Sequence, residues 1–144
     1  LLDNHNRLDM VFMACEEFEH LQPSDVEFRL EQPNYTVKTL AHLQEKYPTN
    51  EFCLIMGEDN LKTFHKWKNY EVILDNHSLY VYPRKSGGKV ENQFKDHPKI
   101  TRVDAPVIEI SATFIRDSIK EGKFIKPMLP AKVWEYVIHN NFYK

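Results

Sequence analysis

The sequence predicts an α/β protein with a mostly parallel sheet, and three observations carry that expectation. Apolar runs of strand length alternate with segments of helical periodicity. The run Phe52-Cys53-Leu54-Ile55-Met56-Gly57 is apolar throughout, the type found in a parallel strand covered on both faces. The extended runs are closed by Gly57, Pro83 and Ser111, residue types that stop a strand or start a helix. At 144 residues one domain with a sizeable core is expected. Hydrophobic content of 42% and aromatic content of 12% fit a soluble globular chain. A formal net charge of −2 supplies no global basic field, so a nucleic-acid polymer is not an expected partner. No apolar run approaches the length of a membrane span, so no membrane partner is expected, and no signal peptide is visible.

Leu8, Val11, Phe12, Cys15 and Phe18 recur at helical spacing and predict an amphipathic helix over about residues 5–20, capped by Asp3 or Asn4. Val26-Glu27-Phe28-Arg29-Leu30 alternates at period two and reads as a half-buried strand. Thr36 is the expected N-cap of a second helix, with Val37, Leu40, Ala41 and Tyr47 inward and Pro48 beyond its end. Strand 52–57 follows, then short helical segments at about 60–66 and 67–72. Leu79-Tyr80-Val81-Tyr82 is the next strand, Ser86-Gly87-Gly88 a flexible turn, and residues 90–96 a short exposed helix. Ile100-Thr101-Arg102-Val103 is a further strand, and Val107-Ile108-Glu109-Ile110 an extended approach to Ser111. Beyond Ser111, a helix carries Ile115, Ser118 and Ile119 on one face, with Gly122 past its end. The last helix has Pro130 in its first turn, where a missing N–H costs nothing, and an apolar stripe of Val133, Trp134, Val137 and Ile138. Cys15 and Cys53 read as core thiols of a cytoplasmic protein in a reducing cytosol, with no disulfide framework and no zinc spacing.

Parallel sheets bind ligands at the carboxyl ends of their strands, and Gly57-Glu58-Asp59, Arg84 and Ser111 all follow predicted strand ends. They are therefore expected to share one edge of the molecule. A Ser111-capped helix offers free first-turn N–H groups and partial positive charge, with Thr113 adding a hydroxyl and Arg116 a fork suited to phosphate oxygens. The plain alternative is a capped helix and nothing more. Gly57 lets chain and ligand approach closely. Asp59 can accept from ribose hydroxyls or merely cap the next helix. Thr36 reads as a cap, and Trp67 as a core tryptophan or, given Lys66 and Lys68 beside it, a partly exposed one. Arg84 reads equally as a phosphate ligand or a solvated arginine. His65 has no orienting partner in sequence, and Lys62, Lys66, Lys68, Lys120, Lys123 and Lys126 read as surface charge. No Ser-His-Asp arrangement, metal-ligand cluster or Walker-type loop is visible.

A wider pattern singles out one family. Pro33-Asn34-Tyr35-Thr36, the segment Gly57-Glu58-Asp59-Asn60-Leu61 with Phe64 and Trp67 after it, and Ile110-Ser111-Ala112-Thr113-Phe114-Ile115-Arg116 occur in that order. Together they resemble bacterial nicotinate mononucleotide adenylyltransferase, of the nucleotidyltransferase superfamily, over nearly the whole chain. The resemblance implies a Rossmann-like doubly wound sheet of order 3-2-1-4-5-6, with strand 26–30 third and strand 52–57 fourth. The family's His-x-Gly-His segment is absent, and none of the seven histidines sits in such a context. The chain is therefore read as the C-terminal portion of a single nucleotidyltransferase domain, N-terminally truncated, with doubtful activity on its own, unpaired strand edges and self-association. The implied reaction is adenylyl transfer from ATP to nicotinate mononucleotide, giving deamido-NAD and pyrophosphate, with Mg²⁺ accompanying ATP. The resemblance assigns Ser111, Thr113, Arg116, Gly57 and Asp59 to ATP, and Tyr35, Thr36, Trp67 and Arg84 to the pyridine nucleotide. Trp67 is then the plate for the nicotinate ring, and the N–H groups at Tyr35-Thr36 receive its carboxylate. Rival readings are an adenylyltransferase acting on phosphopantetheine or flavin mononucleotide, a non-catalytic nucleotide-binding remnant, and a general α/β interaction domain.

Overall fold

The computed structural model describes residues 2–85 and 94–144. The chain divides into two compact units, residues 30–109 and residues 1–29 with 110–144.

The first unit holds the sheet. Helix α1 (Asn4–Cys15) belongs to the second unit; here the chain enters at helix α2 (Thr36–Lys46), followed by strand β1 (Leu54–Gly57) and helix α3 (Glu58–Thr63). A 3-10 turn (Phe64–Lys66), helix α4 (Tyr70–Asn76), strand β2 (Leu79–Tyr82) and strand β3 (Ile100–Arg102) complete it. The order is β1-β2-β3, with both pairings parallel. This is the parallel α/β arrangement expected from the alternation of patterns.

Side chains alternate across β2. Leu79 and Val81 are buried with Met56 of β1, while Tyr80 and Tyr82 are exposed in register with Ile55 and Gly57. The run 52–57 corrects an expectation here: it is apolar on both faces, yet Ile55 is 75% exposed and Cys53, just before β1, is exposed. An apolar run records composition; whether a second layer covers it is a tertiary matter. The core is anchored by Phe64, fully buried, with Trp67, Tyr70 and Phe94 packed edge-on around it at 5.3–5.7 Å between centroids. Burying a side chain of this size contributes about 2–3 kcal/mol. His77, also buried, donates from Nδ1 to the Phe52 carbonyl at 2.8 Å and ties the approach to β1 to the end of α4.

Several local expectations are revised. Tyr35 is the N-cap of α2 and makes no side-chain cap bond, so Thr36 is the first helical residue. Leu40 is the buried member of the face; Ala41 and Tyr47 are exposed. The helix expected at 90–96 lies mostly outside the described residues, as does the Ser86-Gly87-Gly88 turn; Phe94 is buried in the core. Strand 100–103 and the paired part of run 52–57 are each shorter than expected, and Val107, Ile108 and Ile110 lie in an irregular, exposed segment.

The second unit is helical among its described residues: α1, a 3-10 turn (Val26–Arg29), α5 (Ala112–Lys120), a second 3-10 turn (Lys126–Met128) and α6 (Ala131–His139). The expected strand at 26–30 does not form. Ser24 Oγ accepts from the Val26 amide, the Phe28 amide bonds the Asp25 carbonyl, and Arg29 pairs with Asp25 at 2.8 Å. These local bonds satisfy the backbone where no strand lies in the same unit among the described residues. Asp3 caps α1 through the Asn6 amide, which holds the Asp3 carboxyl below its usual range. The helix ends at Cys15, short of Phe18, and its buried side also differs from the expectation. Met10, Met13 and Ala14 pack on the cluster of Ile115, Ile119, Val133 and Val137, whereas Val11, Phe12 and Phe18 are exposed and Cys15 is half-buried. Tyr136 Oη lies 2.9 Å from Asn6 Oδ1 and 3.1 Å from Asp9 Oδ2, joining α6 to α1. No helix among the described residues is long and apolar enough to cross a membrane.

Candidate functional site

Two groups of predicted residues come together in the sheet-bearing unit. The first stands at the carboxyl ends of β1 and β2. Gly57 is the N-cap of α3 in an ordinary extended conformation (φ −75°), so its left-handed freedom is not used. Its missing Cβ matters for another reason. A Cβ there would overlap Asp59 Oδ1 and would lie 3.1 Å from Arg84 Cγ and 3.3 Å from the Tyr82 ring. Gly57 thus makes room for protein groups, a carboxylate and an arginine stem, where the sequence suggested room for a ligand. Asp59 sits exposed in the first turn of α3, and Arg84 donates to the Ile108 carbonyl at 3.2 Å. The neighbouring Glu58 pairs with Arg102 of β3 at 2.9 Å, holding the β1–α3 turn against the sheet. A carboxylate and a guanidinium on one strand edge can bind a ribose hydroxyl and a phosphate side by side.

The second group surrounds a hollow of about 290 Å³ lined by Asn34, Tyr35, Thr36, Lys66, Trp67, Lys68 and Ile73. The 3-10 turn delivers Trp67 to its wall, where the indole is half-buried with its edge against Phe64. Asn69, left-handed at φ 52°, then turns the chain into α4; asparagine tolerates that region better than most residues. Lys68 Nζ lies 4.3 Å from the Tyr35 ring centroid. The start of α2 forms another part of the wall, and its first-turn amides donate to no side-chain acceptor on Tyr35. Lys66 and Lys68, read from sequence as surface charge, therefore line this hollow. Their adjacency to Trp67 was the available signal. A larger hollow of about 450 Å³ between α2 and α4 contains none of the predicted site residues and no lysine or arginine in its lining. It offers no lysine or arginine charge to an anionic ligand, and Glu45 adds a negative one.

The remaining group belongs to the helical unit. Ser111 Oγ accepts from the Phe114 amide at 3.1 Å, making Ser111 the N-cap of α5. That bond takes one first-turn amide and leaves those of Ala112 and Thr113 outside it. Arg116, half-buried, donates to Thr113 Oγ1 at 3.2 Å, so guanidinium and hydroxyl form one polar cluster at the helix start. Gly122, at φ +72°, ends the helix, and the Gly122 and Lys123 amides bond the Ile119 and Ser118 carbonyls. Among the described residues, no group of three or more His, Cys, Asp or Glu side chains is placed to hold a metal.

A parallel α/β sheet with a carboxylate and a guanidinium at its strand ends belongs to the class of folds that hold their ligands at the carboxyl ends of the strands. The cytidylyltransferase-like family model matches residues 1–118. A protein of Christiangramia forsetii described as a probable nicotinate-nucleotide adenylyltransferase is 68% identical over 144 residues, covering 100% of this chain and 74% of its own length. A Flavobacterium johnsoniae protein of the same description is 65% identical, covering 100% and 75%. Among solved structures, Plasmodium falciparum nicotinic acid mononucleotide adenylyltransferase complexed with NaAD superposes with a TM-score of 0.80 at 19% identity, over 99% of this chain and 75% of that one. The chain belongs to the cytidylyltransferase-like family, in its nicotinate-nucleotide adenylyltransferase branch. The resemblance read from the sequence motifs, its enzyme class and its α/β fold all stand.

Proposed function

We propose that the protein joins ATP and nicotinate mononucleotide in the cytoplasm, giving deamido-NAD and pyrophosphate. An oxygen of the mononucleotide 5′-phosphate attacks the α-phosphorus of ATP. The new O–P bond forms as the bond to the β-phosphate bridging oxygen breaks, and pyrophosphate leaves with that electron pair. No covalent enzyme intermediate is required, so the protein contributes in-line positioning and neutralisation of phosphate charge. Ser111, Thr113 and Arg116 hold ATP phosphates. Gly57 and Asp59 hold the adenosine or its ribose. Tyr35, Thr36 and Trp67 hold the pyridine nucleotide, and Arg84 meets its phosphate. Mg²⁺ would arrive on the triphosphate oxygens and there reduce their negative charge.

The observation that carries this reading is the hollow beside Trp67, which joins a half-buried indole, two lysines and a helix start. An anionic aromatic ligand matches each of these. Phosphopantetheine has no aromatic ring to use that wall, and a flavin is larger and uncharged on its ring. The test is pyrophosphate release with ATP and each candidate acceptor in turn, run on this chain and on a version that carries the family's N-terminal His-x-Gly-His segment. Turnover with nicotinate mononucleotide well above the other acceptors is expected; preference for phosphopantetheine or flavin mononucleotide refutes the assignment.

We also propose that the protein self-associates through β1. Its outer edge has no partner among the described residues, and Ile55 beside it is largely exposed. Unpaired strand edges invite another chain. Light scattering is expected to report a species larger than the monomer; a monomer at all concentrations refutes it.

A further inference from the structure

We propose that the Lys68 ammonium is the group that selects the acid form of the pyridine nucleotide over the amide; this rests on the pyridine nucleotide occupying the hollow beside Trp67. Nicotinate and nicotinamide rings have nearly the same shape. A wall that stacks on the ring, such as Trp67, cannot tell them apart, and the amides at the start of α2 can donate to a carboxylate or to a carboxamide oxygen alike. A fixed charge adds discrimination between isosteres that differ in charge.

The hollow holds such a charge. Its lining has two lysines and no Asp or Glu. The Lys68 ammonium is placed over the Tyr35 ring at 4.3 Å, a cation–π contact that restrains a side chain otherwise free to wander. Tyr35 itself is the N-cap of α2, so the ammonium is referenced to the same helix start that lines the hollow. The nearby Glu31 carboxylate bonds Lys38 at 3.0 Å, and that bond chiefly holds its carboxyl below the usual range; Lys68 contributes only through its field. Among the described residues no carboxylate lies within ion-pair distance of Lys68. Its charge is therefore available to a ligand. Lys66, the other lysine of the lining, has no aromatic contact among the described residues to fix it.

The test compares nicotinate mononucleotide and nicotinamide mononucleotide as acceptors for the intact protein, reading the ratio of kcat/KM for acid over amide. Lys68→Met is expected to lower that ratio about tenfold, equivalent to about 1.4 kcal/mol, and Lys68→Arg is expected to preserve most of it. Raising ionic strength is expected to lower the ratio more in the parent protein than in Lys68→Met, where Lys66 alone is left in the lining. Lys68 is exposed, so both variants should melt like the parent. A ratio unchanged in Lys68→Met overturns the proposal, as does a parent protein that takes both acceptors equally; the site reading survives either result. A parent protein that takes neither mononucleotide overturns the site reading and the proposal with it.

Discussion

Gly57→Ala separates a packing role from a binding role at one position. The backbone at Gly57 has φ −75°, which alanine adopts readily, so the effect of the new methyl is steric. It would meet the Asp59 carboxylate, which must rotate away, and Arg84 Cγ at 3.1 Å, which must give by a few tenths of an ångström. Over-packing of this kind costs about 1–3 kcal/mol, offset by about 0.4–1 kcal/mol from the stiffer unfolded chain. The net loss is about 1 kcal/mol, or roughly 4 °C in Tm for a chain of this size. Binding should suffer more than folding. Losing a charge-assisted bond costs about 1.5–3 kcal/mol, and because Asp59 is exposed the lower end applies, so the KM for ATP should rise roughly tenfold. The assay is steady-state pyrophosphate release for Gly57→Ala, Asp59→Asn and the double variant. If the methyl acts by moving the carboxylate, the double variant should bind ATP no worse than Asp59→Asn alone. Multiplicative losses, or an unchanged KM with a lowered Tm, would refute the reasoning.

Arg116→Ala should raise the KM for ATP at least tenfold and leave that for the mononucleotide nearly unmoved; equal weakening of both would show that α5 does not hold the triphosphate. Trp67→Ala should raise the KM for the mononucleotide with folding kept, because Phe64, Tyr70 and Phe94 retain their mutual contacts; a protein unfolded at room temperature would show Trp67 to be a core residue. Burial, followed by the Asp9 carboxylate, raises the Tyr136 hydroxyl above its ordinary 10.0. Its neutral form is therefore favoured in the folded state, and the resulting stability is present below pH 10.0 and lost as pH rises through the raised folded value. Tyr136→Phe should make the alkaline fall in Tm shallower, and an identical fall in both proteins would contradict this.

Much of the site could be read from residue type and local order. Ser111 caps α5 because a short hydroxyl side chain before a helical pattern has a nearby amide to accept from, a bond made within four residues. Gly122 ends the same helix for an equally local reason. The strand Leu79–Tyr82 was legible as an apolar run closed by Pro83, and its position between β1 and β3 agrees with the order the resemblance implies. By contrast, Val26–Arg29 alternates at period two and is a 3-10 turn, since alternation says nothing about whether a neighbouring ladder exists. The same holds for α1. Its regular apolar stripe of Leu8, Val11 and Phe12 predicted the buried side, yet Met10, Met13 and Ala14 meet α6, because burial depends on what is packed there and not on the stripe itself. Tertiary structure alone set the space around Gly57, which Asp59 and Arg84 share from different strand ends, and the placing of Lys68 over Tyr35 across a separation of 33 residues. Capping, turn chemistry and periodicity are short-range and written into adjacent residues. Which apolar face is covered, and which charge stands over which ring, is decided by contacts between segments far apart in the chain.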